Sequence, residues 1–225
     1  MIPLRGALRS RTFPFVNITL IVINILVWFF QLSLGSRGES FILHYGLVPV
    51  RFFWGLRNDL TSAIIPVFSS MFLHGGWLHV LGNMWFLYIF GDNVEDRVGH
   101  LNYLFFYLIC GVGAAMAQTF LNPHSSLPMV GASGAIAGVL GGYLLLFPHS
   151  RILTLVPIIF FIQFVEIPAF IFLILWFLFQ FMIGSAPSGD GGVAWLAHVG
   201  GFITGVVLIF FFKKSEPEDH LIQWR

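Results

Sequence analysis

Three polar clusters lie inside otherwise apolar stretches of this chain, and their residue types are those of acyl-transfer chemistry. One is Ser133, within Gly131-Ala132-Ser133-Gly134. Another is His198, within Ala197-His198-Val199-Gly200-Gly201. Polar and ionisable groups at bilayer depth are costly, and the ones that persist usually serve a function. A serine and a histidine together make a nucleophile and its base. The third cluster runs from His74 through His79 to Asn83. His79 and Asn83 are four apart and share a helical face. An imidazole N–H and a carboxamide N–H are donors of the kind a tetrahedral oxyanion needs, with the Ser133 backbone N–H as a third.

Each cluster has a structural alternative. A serine in a membrane helix commonly bonds back to a carbonyl one turn earlier, or joins helices. A membrane histidine can be hydrogen-bonded inside a bundle. Glycines weigh on the choice. Gly131 and Gly134 flank the serine, and Gly138, Gly141 and Gly142 follow on the same run. His198, Gly201 and Gly205 fall on one helical stripe, and Gly201-x-x-x-Gly205 is a small-residue contact motif. A helix packed closely here against the Gly134/Gly138 helix would bring His198 to Ser133.

A metal site is the competing use of the histidines. His74 and His79 are five apart, which does not place both rings on one helical face, and no HExxH motif occurs. His44, His100, His124, His149 and His220 fall near expected helix ends or loops. No metal and no cofactor is expected. No Asp or Glu lies in a span near Ser133 or His198, so the expectation is a Ser-His dyad without the carboxylate of a triad, and a modest turnover rate.

The elements that must hold these residues are membrane helices. Of 225 residues, 57% are hydrophobic and only 9% charged, against about 25% charged in soluble domains. The chain therefore reads as an all-α polytopic membrane protein. Its net charge of +1 gives no reason to expect nucleic acid as a partner. Cys110 is the only cysteine, which excludes an intrachain disulfide, and it reads as a small buried apolar residue.

A span needs about 20 mostly apolar residues. Six runs qualify: Phe13–Leu34, Trp77–Gly91, Leu101–Leu121, Met129–Phe147, Ile167–Gly184 and Val193–Phe212. The second extends back through Phe68–Phe72 as a loop or broken lead-in. The first follows basic residues but is too long for a cleaved signal peptide and lacks a small-residue cleavage pattern. A seventh stretch, Ile152–Val165, is too short, is interrupted by Pro157 and ends at Glu166 and Pro168; it reads as an interfacial or re-entrant segment.

Charge favours six spans over seven. Arg5, Arg9, Arg11, Arg97, Arg151, Lys213, Lys214 and Arg225 then share one side, while Arg37, Arg51 and Arg57 face the other. The positive-inside rule puts both termini in the cytoplasm. The chain reads as one domain, residues 1–225, with a core of about 13–212 and short cytoplasmic tails. The short tails point to a prokaryotic inner membrane. The outer loop, about Gly35 to Pro66, carries Arg51-Phe52-Phe53-Trp54-Gly55-Leu56-Arg57 and suits the headgroup boundary. Asp92–His100 reads as a solvated cytoplasmic turn. Ser185–Gly192 (SAPSGDGG) is flexible by composition and lies where a mobile cap over the His198 helix would sit; a plain connector fits equally.

Together these pieces resemble the rhomboid family of intramembrane serine proteases. The matching residues are His74-x4-His79-x3-Asn83, Gly131-Ala132-Ser133-Gly134, and Ala197-His198-x2-Gly201-x3-Gly205, in that order and on the expected spans. The resemblance implies a six-transmembrane-helix rhomboid-like bundle embedded in membrane lipids. Ser133 would be the nucleophile and His198 the general base. His79, Asn83 and the Ser133 N–H would form the oxyanion hole. His74, Gly131, Gly134, Gly201 and Gly205 would support the site structurally. Transmembrane protein substrates would enter from lipid and be cut near their outer ends, where the backbone unwinds. Two departures stand out. Many relatives carry Trp-Arg in the outer loop; here those positions are Ile65 and Pro66, so Trp54 and nearby arginines would have to anchor the loop. The aromatic that stacks on the histidine in well-known members, one turn after the serine, is here Ala137, so something else must orient His198.

Two other classes remain to be weighed. An inactive rhomboid-like protein would bind transmembrane helices without cleaving them, and its usual mark, loss of the serine or histidine, is absent. A transporter or channel would need acidic groups or paired broken helices lining a pathway, and none is evident. The topology is directly testable. A periplasm-dependent reporter such as alkaline phosphatase, fused after Arg225, is expected to be inactive, and activity there would break the six-span arrangement.

Overall fold

The computed structural model describes residues 1–158, 161–184 and 195–214. Strand β1 (Ile2–Gly6) precedes α1 (Phe15–Ser33). Three short helices follow, α2 (Gly38–Tyr45), α3 (Pro49–Asn58) and α4 (Leu60–Ser69), the last running into a 3-10 turn at Ser70–Phe72. Then come α5 (Trp77–Val98), α6 (His100–Leu121), α7 (Ser133–Leu146), strands β2 (Arg151–Ile158) and β3 (Phe161–Pro168), α8 (Ala169–Gly184) and α9 (Trp195–Phe212).

Among the described residues, α1, α6 and α9 are each long and apolar enough to cross a membrane. Residues 60–72 and α5 meet that test only as a pair, bent by 79° at the break. The apolar part of α5 ends near Gly91, but the helix carries its charged residues on to Val98. Helices α7 and α8, of 14 and 16 residues, are apolar but shorter. At 1.5 Å per residue, α7 rises roughly 21 Å, well under a hydrocarbon core of about 30 Å. It is also the most enclosed helix, with every residue from Gly134 to Tyr143 buried.

The centre of the bundle is glycine-lined. A Cβ at Gly201 would fall on the Gly134 carbonyl oxygen, and one at Gly205 on the Gly138 carbonyl oxygen. Gly138 presses on Cys110 of α6, and Gly200 on Ala117 of α6. Helices α6, α7 and α9 therefore meet backbone to backbone, which small residues permit and which maximises dispersion contact in lipid. Around them Phe90, Tyr103, Phe106, Tyr107, Leu140 and Tyr143 are fully buried.

Four expectations need correction. The fold is not all-α: β1, β2 and β3 form an antiparallel sheet in that order. The 152–165 stretch is its hairpin, with Leu155 opposite Phe164 and Ile158 opposite Phe161. Its β-branched and aromatic residues favour strands, and Pro157 and Pro168 disfavour a helix. The residues read as an N-terminal tail include strand β1, which Trp85 fastens by donating its indole N–H to the Pro3 carbonyl (2.6 Å). Finally, Asp92–His100 is not a solvated turn. Glu95 is fully buried and accepts the backbone N–H groups of Val16 (2.9 Å) and Asn17 (2.7 Å), the open first turn of α1, while its carboxylate also meets His100. Asp96 accepts from the Thr12 amide and hydroxyl. These carboxylates hold the positive end of α1 in place.

The outer loop is organised by α2 to α4. Arg51 donates to the carbonyls of Leu43 and His44 at the end of α2. Trp54 is exposed on this loop. Ser185–Gly192, expected as a cap or connector, lies outside the described residues.

Because a side chain at Gly201 has no room, Gly201→Val is expected to lower stability by about 1–3 kcal/mol, the usual cost of overpacking. Thermal unfolding in detergent against wild type measures this; an unchanged midpoint would mean that α7 and α9 tolerate separation.

Candidate active site

Ser133 owes its position to a break in the chain. After α6 the backbone runs irregularly to Ala132, crossing Leu47 in a two-bond bridge at Met129 (3.0 and 2.8 Å). Gly131 then turns it with φ +124° and donates its N–H to the Ser70 carbonyl (2.9 Å). Glycine is needed twice over here, since a Cβ at Gly131 would also meet the His79 ring 2.5 Å away. The expected span from Met129 is thereby shortened: α7 begins at Ser133 itself. The serine amide, with those of Gly134 and Ala135, lies in the first turn, where N–H groups lack intrahelical partners. The positive end of the helix is directed at the serine.

His198 arrives from α9. It is buried, one turn before Gly201, and the glycine contact sets its height against α7. Its Nε2 lies 2.8 Å from Ser133 Oγ, within hydrogen-bond reach. If the hydroxyl donates, Nε2 is the acceptor and the hydrogen of a neutral ring sits on Nδ1. That Nδ1 is buried with no hydrogen-bond partner among the described residues. The ring of Trp176, from α8, stands 5.9 Å from the imidazole at a 44° tilt.

The donors come from α5. The Gly75 amide donates to His79 Nδ1 (3.4 Å), which assigns the ring hydrogen to Nε2. That nitrogen points to the Gly131 backbone beside Ser133. Asn83 is buried, and its Nδ2 has no partner among the described residues. The same carboxamide nitrogen would sit 3.5 Å from a Cβ on Gly131. Two N–H donors thus lie close to the serine, one of them unsatisfied. An orphan donor of this kind is held at a cost of about 1–3 kcal/mol.

His74 lies behind this pair. It is fully buried, and its ring meets that of His79 edge-on at 5.1 Å. Gln31 of α1 grips its peptide from both sides, donating to the His74 carbonyl (3.1 Å) and accepting its N–H (3.0 Å).

Ser133, His198, His79, Asn83, Gly131 and Gly134 all line one cavity of about 820 Å³. Its polar rim adds Gln118 and Asn122 of the α6 end and Gln180 of α8. The irregular backbone of residues 127–131 forms one wall. Non-helical backbone at membrane depth is tolerated only where it is buried in protein or lines a watery cavity. Among the described residues no Asp or Glu lines the cavity, and no cluster of His, Cys, Asp or Glu is arranged to hold a metal ion.

Some supporting residues escaped the sequence reading. Asn17, Asn24 and Gln31 recur every seventh residue in α1 and are all buried. Polar groups on one stripe of an apolar helix were the available signal. Trp176 and Gln180, one turn apart on α8, likewise gave a signal in Gln180, the one polar residue of that helix.

The Rhomboid domain family model matches residues 61–215, which include Ser133, His198, His74, His79 and Asn83, while Asn17, Asn24 and Gln31 of α1 lie before it. The chain is similar to Rhomboid protein 1, mitochondrial, of Saccharomyces cerevisiae: 27% identical over 168 residues, 71% of this chain and 45% of that protein. It is 33% identical to RHOMBOID-like protein 1 of Arabidopsis thaliana over 146 residues, 65% of this chain and 34% of that protein. It is 29% identical to Rhomboid-like protease 5 of Toxoplasma gondii over 206 residues, 86% of this chain and 19% of that protein. The chain therefore spans less than half the length of each. All three relatives are eukaryotic, so they lend no support to the expected prokaryotic inner membrane.

Proposed function

Since this membrane protein belongs to the rhomboid family, we propose that it is an intramembrane serine endopeptidase working by a Ser133–His198 dyad. The observation that carries the reading is the 2.8 Å contact between Ser133 Oγ and His198 Nε2 at the wall of a cavity with N–H donors opposite. In this mechanism Oγ attacks the scissile carbonyl while its proton passes to Nε2. The carbonyl oxygen takes the negative charge and is held by His79 Nε2–H, Asn83 Nδ2–H and the Ser133 amide. Collapse breaks the C–N bond, and the imidazolium protonates the leaving amine. Water then attacks the acyl-serine with His198 again as base, releasing the acid and restoring the hydroxyl.

The substrates proposed are transmembrane segments that reach the cavity from lipid and are cut near their outer ends. A helical peptide bond is shielded and hydrogen-bonded, so only a locally unwound segment presents its carbonyl to Ser133. Six spans are proposed: α1, the bent unit of residues 60–72 with α5, α6, α7, α8 and α9, with both ends of the described chain on the cytoplasmic side. The 820 Å³ cavity, lined by Gln118, Asn122 and Gln180, gives water a place beside the serine. With no carboxylate lining the cavity among the described residues to orient the base, turnover is expected to be slow.

The test uses purified protein in detergent with a single-span substrate. Wild type is expected to cleave, and Ser133→Ala and His198→Ala to fall to background. Equal cleavage by all three would mean a contaminant and would remove the dyad. A fluorophosphonate should label wild type but not Ser133→Ala; absence of both cleavage and labelling would favour a protein that binds transmembrane helices without cutting them. Asn83→Ala is expected to lower kcat about 10²-fold, as loss of one oxyanion donor does, with KM within about twofold. A KM effect alone would make Asn83 a binding residue instead.

A further inference from the structure

His198 is held on one side only by polar contact. Nε2 meets Ser133 Oγ, and Nδ1 has no partner among the described residues. One hydrogen bond does not fix an imidazole, which can rotate about its Cβ–Cγ bond and exchange nitrogen for carbon at the serine. Here α7 offers no wall of its own: the residue one turn after Ser133 is Ala137, a methyl group. The aromatic contact on the imidazole is Trp176, 5.9 Å away and tilted by 44°.

Trp176 is itself fixed. It packs on Phe86 of α5 at 6.1 Å, and Phe86 and Phe90 both pack on Phe172, one turn earlier on α8. The indole therefore connects a rigid aromatic cluster to the histidine. Centroid separations of this size are those of ordinary aromatic pairs. We propose that Trp176 is the positioning residue for His198, keeping Nε2 turned to Ser133 and stabilising the imidazolium that forms when the serine is deprotonated. This rests on the protease reading above. The second effect follows from ring electrostatics: a cation within about 6 Å of an indole is attracted to its face, most strongly when water is excluded. Because the imidazolium exists only after proton transfer, this attraction favours the transition state over the bound substrate. Its loss lowers kcat and leaves KM nearly unchanged.

The test compares Trp176→Leu, Trp176→Phe and Phe172→Leu in the full chain. Phe172 shares the aromatic cluster, and its ring pairs with Phe86 and Phe90 rather than with His198 among the described residues, so it reports damage to packing. Trp176→Leu is expected to lower kcat roughly ten- to thirtyfold with KM within about twofold. Trp176→Phe, which keeps a ring, should recover most of the loss, and Phe172→Leu should keep kcat within about twofold. ¹⁵N spectra of the histidines give a readout independent of cleavage. Wild-type His198 should show a single tautomer, protonated at Nδ1, and Trp176→Leu a mixture. An equal kcat loss in Phe172→Leu, or an unchanged His198 spectrum in Trp176→Leu, would overturn the assignment. If wild type does not cleave, the protease reading fails, and the spectra still decide whether Trp176 fixes the ring.

Discussion

The contact between α7 and α9 governs everything else in this molecule. Ser133 and His198 are 65 residues apart in sequence, and neither helix brings its own partner. They meet because Gly201 and Gly205 let the α9 backbone lie on the carbonyls of Gly134 and Gly138. In lipid there is little hydrophobic drive to press two apolar helices together, so close packing and dispersion must supply the association. A Cβ at either glycine would lie 2.0 Å from the facing carbonyl oxygen, so any side chain there would push the helices apart by more than an ångström. That displacement exceeds the tolerance of a hydrogen bond.

The membrane imposes a second constraint, on polar groups. Glu95 meets it by giving its two oxygens to the open first turn of α1. Asn17 meets it by donating to the Leu87 carbonyl and accepting from the Tyr103 hydroxyl. Gln31 meets it by closing both hydrogen bonds of the His74 peptide. These residues stitch α1 to α5 and α6. Buried polar atoms without a hydrogen-bond partner among the described residues nonetheless remain: Asn83 Nδ2 and His198 Nδ1 near the serine, and elsewhere Trp28 Nε1, Asn93 Oδ1 and both ring nitrogens of His74.

The third constraint is depth. Helix α7 is too short to reach both membrane surfaces, and the chain above it is irregular. The missing length becomes the cavity. The cavity opens beside the serine, while the surrounding helices expose Leu, Ile and Phe side chains on their outer faces. The bend of 79° between residues 60–72 and α5 frames the same opening and carries His74 to the back of His79.

Much of this was legible in the sequence. Apolar runs of spanning length identify the helices, since the bilayer sets that length. The candidate site residues Ser133, His198, His79 and Asn83 were visible as polar side chains in apolar runs, but so were Asn17, Asn24, Gln31 and Gln180; the glycines at 201 and 205 marked the helix face that packs. What the sequence could not decide was geometry between segments. Hydrophobic periodicity does not distinguish a short strand from an interfacial segment, so the 151–168 hairpin emerged only in the pairing of β2 with β3, and its neighbour β1 only in the pairing with β2. Charges at 92–97 read as solvated because their partners, the amides of Val16 and Asn17, lie far away in the chain. Ala137 showed that the imidazole lacked a neighbour on α7, but Trp176 is on another helix, and only packing could bring it there. Composition and spacing determine which groups must be sheltered; the tertiary structure decides which of them meet, because hydrogen bonds and ring contacts are made across helices, at distances no local pattern encodes.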